Sequence, residues 1–355
     1  VNDFVFTGNI TEKEFKKLME KEFKEAKKRK DKATIGIKKT IEDFLDNYNN
    51  NKKKIISIII SGIMLLLMCS CGADTPDDMT NKVTTAENVA GKTGQKAAAT
   101  YTGYPALEPV TLTCADPENS RGLSTAKISH SYGVAKDGKP HQISVDSEKF
   151  FESKNFKAVT YDAGSQSKVL YLTFDCGYDN GYTEKILDTL KEKKVKAAFF
   201  CTADELKSAP EVIARMIKEG HIVGNHSTTH PSFDEISRSE MAKEIQDCDN
   251  YLRSNFGYTS PYFRFPKGEY SECALELVGS LGYTSVFWSL SYADWDTKAQ
   301  KGADYAFEKV TARLHPGAII LLHAVSSDNA GAMARIIDYA REQGYEFKSL
   351  DDLKL

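Results

Sequence analysis

Val169-Leu170-Tyr171-Leu172-Thr173-Phe174-Asp175-Cys176-Gly177 sets the pattern of the C-terminal half: a β-rich apolar run that ends on a carboxylate, a thiol and a glycine. From Thr183 to Lys193 apolar and charged residues alternate at helical spacing through Ile186, Leu187 and Leu190. Lys196-Ala197-Ala198-Phe199-Phe200-Cys201 is the next strand. The cycle continues with a helix from Pro210 to Glu219 that stops at Gly220, a strand at His221-Ile222-Val223-Gly224 and a helix from about Ser239 to Phe256. Strands follow at Tyr262-Phe263-Arg264, Ser285-Val286-Phe287-Trp288, Gly317 to Leu322 and Tyr345-Glu346-Phe347, separated by helices near Ala274 to Leu281, Tyr305 to Leu314 and Ala330 to Gln343. Strands that alternate with helices predict a parallel sheet, and this many units in so short a stretch predict a compact or distorted (β/α) barrel.

Outward from this region the composition changes. Residues 1–54 are a lysine-rich extension, with Lys27-Lys28-Arg29-Lys30 and Lys52-Lys53-Lys54, and read as a solvated helix or disordered tail. A net charge of −3 over 355 residues gives no support to a nucleic-acid partner. The uncharged run from Ile55 to Met68 directly follows three lysines; it is short for a spanning helix and fits the apolar region of a signal peptide within residues 55–71. Export follows from that reading. Met68-Cys69-Ser70-Cys71 resembles a bacterial lipobox with Cys71 as the lipidated residue, and an uncleaved signal anchor is the alternative; either places the remainder outside the cytoplasm, tethered to the cell membrane.

Residues 72–108 are rich in Thr, Ala, Gly and Lys and are expected to be a flexible linker. Residues 109–167 carry modest strand and helix signals and are expected to flank and pack on the domain that begins at Lys168. Of seven cysteines, Cys69 and Cys71 belong to the signal, and the other five form no disulfide framework.

The chemistry sits at strand ends. Asp175, His226, Arg264, Asp294 and His323 each fall just after a predicted strand, which gathers them on the C-terminal face where barrel enzymes keep their reactive groups. His226 and His230 are four residues apart, a spacing that puts two imidazoles within reach of one cation, although capping or surface histidines share it. A lone histidine after Leu321-Leu322 also suits a satisfied core position.

With Thr173-Phe174-Asp175-Cys176-Gly177, His226-Ser227-Thr228-Thr229-His230, Arg264-Phe265-Pro266-Lys267-Gly268, Asp294-Trp295 and Leu322-His323 in this order, the chain from about residue 168 resembles the NodB-type polysaccharide deacetylases. The resemblance implies a distorted (β/α)7 barrel and metal-assisted release of acetate from N-acetylated sugars. It makes Asp175 the general base, His226 and His230 ligands of a divalent metal with zinc expected, and Arg264 the group that orients Asp175. It also gives the Lys267 N–H, beside Gly268, to an oxyanion hole, His323 to the general acid, Asp294 to its partner and Trp295 to a sugar-binding face.

Cys176 departs from the family, which has a metal-binding aspartate there; the cysteine is either a thiolate ligand or a neutral bystander. The Asp175 to Thr183 stretch and the segments after His315 and His323 look like one branch, the spore-cortex muramic acid de-N-acetylases. Expected partners are therefore peptidoglycan glycan strands, with N-acetylmuramic acid as substrate. Deacetylation of N-acetylglucosamine in peptidoglycan or chitooligosaccharide is the alternative, followed by a metal-depleted barrel that only binds glycan.

Overall fold

A computed structural model describes residues 100–165 and 167–353. The lysine-rich extension, the signal segment with Cys69 and Cys71, and the linker up to residue 99 lie outside these residues. No helix among the described residues is long and apolar enough to cross a membrane.

Among the described residues, ten short strands are interleaved with eight α-helices. The chain runs β1 (Ile128–Ser129), α1 (Gln142–Ser153), β2 (Ala158–Val159), β3 (Val169–Cys176), α2 (Thr183–Lys193), β4 (Ala198–Cys201), α3 (Ala203–Ser208), α4 (Pro210–Lys218) and β5 (Ile222–Asn225). It continues through α5 (Arg238–Phe256), β6 (Tyr262–Phe263), β7 (Glu269–Tyr270), α6 (Glu272–Ser280), β8 (Thr284–Val286), α7 (Ala303–Thr311), β9 (Ala318–His323), α8 (Ser327–Glu342) and β10 (Glu346–Lys348). The predicted alternation is present, and the strands of the main sheet pair in parallel.

The sheet curls into the distorted barrel. Its order is β10-β3-β4-β5-β6-β8-β2, and β9 also pairs with β3, with Asp175 opposite His323. Closure comes from two bridges onto β9, Leu290 to Ile320 and Tyr161 to Ala318. One strand of this ring, β2, belongs to the segment before residue 168, so that segment completes the barrel as well as flanking it. Residues 100–108 are likewise not free in the way a linker is: Tyr101 and Leu107 donate to the carbonyls of Asn255 and Arg253 at 2.9 Å, and the Thr102 hydroxyl bonds to the Phe256 carbonyl. Those carbonyls lie in the last turn of α5, where Asn255 and Phe256 have no partner within the helix and Arg253 has only the Gly257 N–H at 3.2 Å.

Side-chain alternation divides the core. Leu170, Leu172, Phe174 and Cys176 of β3 pack outward against α2, α4 and α8, while Val169 and Tyr171 point inward with Phe200, Phe263, Ile319 and Leu321. Asp175 shares the inward parity. α5 starts on a capping box in which Ser237 and Glu240 exchange bonds with each other's backbone, and it stops at Gly257 in the left-handed region.

Gly317 marks the entry to β9. Its φ is +77°, its N–H donates to Val169 O at 2.8 Å, and a Cβ there would lie 2.3 Å from the Asp162 carbonyl oxygen. Because the obstacle is backbone, Gly317→Ala is expected to destabilise the fold by more than about 2 kcal/mol. Gly279→Ala, inside α6 with only ordinary contacts, should leave stability unchanged or raise it by up to about 1 kcal/mol. Urea unfolding midpoints of the two variants test the contrast, and equal midpoints would contradict it.

Candidate active site

Arg264 follows β6 directly and is fully buried. Its Nε donates to Val286 O at 2.8 Å, one terminal nitrogen to Phe287 O at 3.2 Å, and the other to Asp175 Oδ1 at 2.9 Å. Phe200 lies under the guanidinium at 4.2 Å. Burial alone would raise the Asp175 pKa, but the charge of Arg264, with His226 and His323 nearby, holds it below the usual carboxylate value. The carboxylate is charged, with one oxygen committed to Arg264 and the other, Oδ2, turned toward His226 at 3.6 Å.

His226 leaves β5 and is buried, with Nδ1 2.8 Å from the Arg264 carbonyl. A carbonyl only accepts, so Nδ1 carries the proton and Nε2 keeps its lone pair. His230 places its ring 4.9 Å from that of His226. Burial lowers the pKa of both, in the case of His230 to about 4, so both rings are neutral. Ser227 and His230 hold left-handed backbone conformations, with φ of 70° and 59°, and the Ser227 hydroxyl accepts the His230 N–H at 3.0 Å. The loop is therefore fixed by its own side chains.

Two neutral imidazoles with one tautomer set by a carbonyl suit a divalent cation that accepts nitrogen ligands. Among the described residues, however, no group of three His, Cys, Asp or Glu side chains is arranged to hold a metal ion. Cys176 does not supply the third. It has the opposite parity from Asp175, packs on the helix-facing side of β3 and meets Cys201, its register partner on β4. The hydrogen bond with Cys201, together with burial, raises its pKa well above that of a free thiol, so the side chain is a protonated thiol.

His323 closes the ring of motifs. Its Nδ1 is 2.7 Å from Asp294 Oδ1 and its main-chain N–H donates to Asp294 Oδ2 at 2.8 Å. Asn329 Nδ2 donates to the same Oδ2 at 2.6 Å and is itself placed by the Tyr292 hydroxyl. Asn329 was not among the residues singled out from the sequence, and an asparagine in the first turn of a helix carries no signal of this role. Ser326 caps α8, both residues are buried, and none of Ser326 to Ala330 lines the cleft; within this segment it is Asn329 that supports Asp294.

These groups face a cleft of about 560 Å³ walled by Asp175, Tyr178, His226, His230, Lys267, Gly268, Trp288, Trp295, Leu321 and His323, with Tyr132, Cys176 and Ser291 at its border. Trp295 is 60% exposed and sits edge-on to His323 at 6.0 Å between ring centres. The Lys267 backbone is left-handed at φ 59°, and Lys267 Nζ donates to Ser232 Oγ at 3.1 Å. Tyr132 and Trp288 were not anticipated.

Residues 162–286 match the family model described as polysaccharide deacetylase. The Bacillus subtilis peptidoglycan-N-acetylmuramic acid deacetylase PdaA is 43% identical over 194 residues, 54% of this chain and 74% of the relative. The chain belongs to the polysaccharide deacetylase family. The solved structure of B. subtilis PdaA, a family 4 carbohydrate esterase, superposes on this deacetylase with a TM-score of 0.62 at 37% identity, covering 65% of this chain and 98% of that one. A chitooligosaccharide deacetylase of Sinorhizobium fredii is 30% identical over 53% of this chain and 93% of its own. The family match stops before Asp294 and His323, so the deacetylase's distal pair rests on the geometry above.

Burial opposes charge on His323, but the bond to Asp294 and the charges of Asp294 and Asp175 outweigh it and raise its pKa above the ordinary 6.5. Since the folded ring holds its proton more tightly than the unfolded one, the pair stabilises the fold fully below about pH 6.5 and loses that contribution as pH rises through the raised value. An NMR titration should therefore find His323 above 6.5 and His230 well below it. Asp294→Asn should lower the His323 pKa, and an unchanged value would show that Asp294 does not set it.

Proposed function

We propose that the protein hydrolyses the N-acetyl group of peptidoglycan, with N-acetylmuramic acid as the sugar acted on, and releases acetate. A charged carboxylate and an imidazole whose pKa is raised by its own carboxylate partner, facing one cleft from neighbouring strands, Asp175 on β3 and His323 on β9, carry the reading. The choice of sugar is supported by the name of the B. subtilis relative, which is more similar than the chitooligosaccharide deacetylase.

Deacetylases of this family are metal-dependent in general, and His226 and His230 are the residues that would hold a divalent cation, zinc in this proposal, for its Lewis-acid chemistry. Asp175 takes a proton from water at Oδ2, because Oδ1 stays bonded to Arg264. The water oxygen then attacks the acetamide carbon. The main-chain N–H of Lys267, in the turn that borders the cleft, donates to the carbonyl oxygen as negative charge grows there. His323 spends its Nδ1 on Asp294, so the proton on Nε2 goes to the nitrogen as the C–N bond breaks. Trp295 offers its exposed face to the sugar. An extracytoplasmic site, tethered through Cys71 or a signal anchor, is part of this proposal and is supported by the Ile55 to Met68 run.

Asp175→Asn and His323→Ala should each lower acetate release by a factor of about 100 or more, the usual scale for a general base or acid, and because each loses a buried charge partner, Arg264 or Asp294, activity is compared at a temperature where melting curves show both variants folded. Near-normal turnover in either would remove that role. Peptide-free muramic glycan should be a better substrate than chitooligosaccharide for the wild type, and the reverse order would transfer the assignment to N-acetylglucosamine.

A further inference from the structure

The cleft is not built by the stretch that matches the family alone. Its border includes Tyr132, which precedes the stretch that matches the family. β1 brings the chain there by pairing with β7, Ile128 against Tyr270 and Ser129 against Glu269. His130 then donates its N–H to the Gly268 carbonyl at 2.8 Å, next to the left-handed Lys267. Its ring lies 4.7 Å from that of Phe287, stacked, and its Nε2 is 2.8 Å from the Trp288 carbonyl. That carbonyl fixes the proton on Nε2, and burial lowers the pKa to about 4, so His130 is a neutral post between the Lys267 turn and the end of the β8 segment.

Tyr132 is mounted on this post. Its carbonyl takes a 2.8 Å bond from the buried hydroxyl of Ser144 on α1. Gly133 follows at φ +66°, where a Cβ would meet the His141 ring at 2.2 Å, so the backbone is fixed on the far side too. The side chain is treated differently: it is only half-buried, its ring centre lies 6.2 Å from that of Trp288, and it borders the cleft together with Ser291. A backbone held at several points that presents a partly open aromatic ring to a cleft has the build of a binding wall.

We infer that Tyr132 is a specificity-determining residue of the deacetylase, its ring lying against the apolar face of the sugar and setting substrate affinity. The identity of the sugar rests on the function proposed above. Tyr132→Ala should raise KM for peptide-free muramic glycan about 5-fold or more with kcat within about threefold of wild type. Tyr132→Phe should stay close to wild type in both. Melting curves separate this from misfolding, and calorimetric binding of the same glycan to the unreactive Asp175→Asn protein, with and without Tyr132→Ala, reads affinity without turnover. An unchanged KM and unchanged binding in the alanine variant overturns the inference, as does a phenylalanine variant as weak as alanine. If the wild type binds glycan and releases no acetate, the proposed activity falls while Tyr132 is still judged by the binding pair.

Discussion

A guanidinium enclosed by protein must be answered inside the protein, and that of Arg264 is answered at the ends of two strands, β8 and β3. It grows from β6, donates to the two carbonyls that follow and end β8, pairs with Asp175 at the end of β3, and lends its own carbonyl to His226 at the end of β5. Bringing such a charge out of water costs several kcal/mol, which only well-aligned charged and carbonyl acceptors offset. The same set of bonds therefore fixes the mouth of the barrel and the ionisation of the proposed base. A change at any of these strand ends would be felt at Asp175.

The two-residue period of β3 explains why Asp175 and Cys176, adjacent in sequence, have separate fates. Asp175 faces the cleft, whereas Cys176 faces helices and lies with Cys201 and Cys248 in the outer core. Cys248 donates its thiol to the Cys201 carbonyl at 3.7 Å, and burial raises the pKa of each of these thiols. They behave as small apolar residues.

Much of this was legible in the sequence because the repeating unit is long. Eight-residue β3 and nineteen-residue α5 carry periodicity that survives a reading without neighbours, and strand ends are where a parallel barrel collects polar side chains. What escaped the sequence is short or distant. β1 and β2 have two residues each, too few for any period. Asn329 and Tyr132 acquire their positions only through contacts with chain far away in sequence, Asn329 with Asp294 and Tyr132 with Trp288. Residues 100–108 have a linker's composition but find carbonyls in the last turn of α5, and composition does not show such acceptors.

The barrel's closure has a consequence for where the unit begins. β2 runs beside β8, and Tyr161 bridges to Ala318 on β9, so a piece of chain outside the recognisable family stretch bridges the gap between the last strands. Glu148 on α1 fastens that piece by accepting the N–H groups of Thr160 and Tyr161. A gene fragment cut at the boundary that family resemblance suggests would leave the edge of β8 with unpaired donors and acceptors, open to another copy of itself. The stretch that matches the family model and the stretch that closes the sheet are thus different lengths of the same polypeptide.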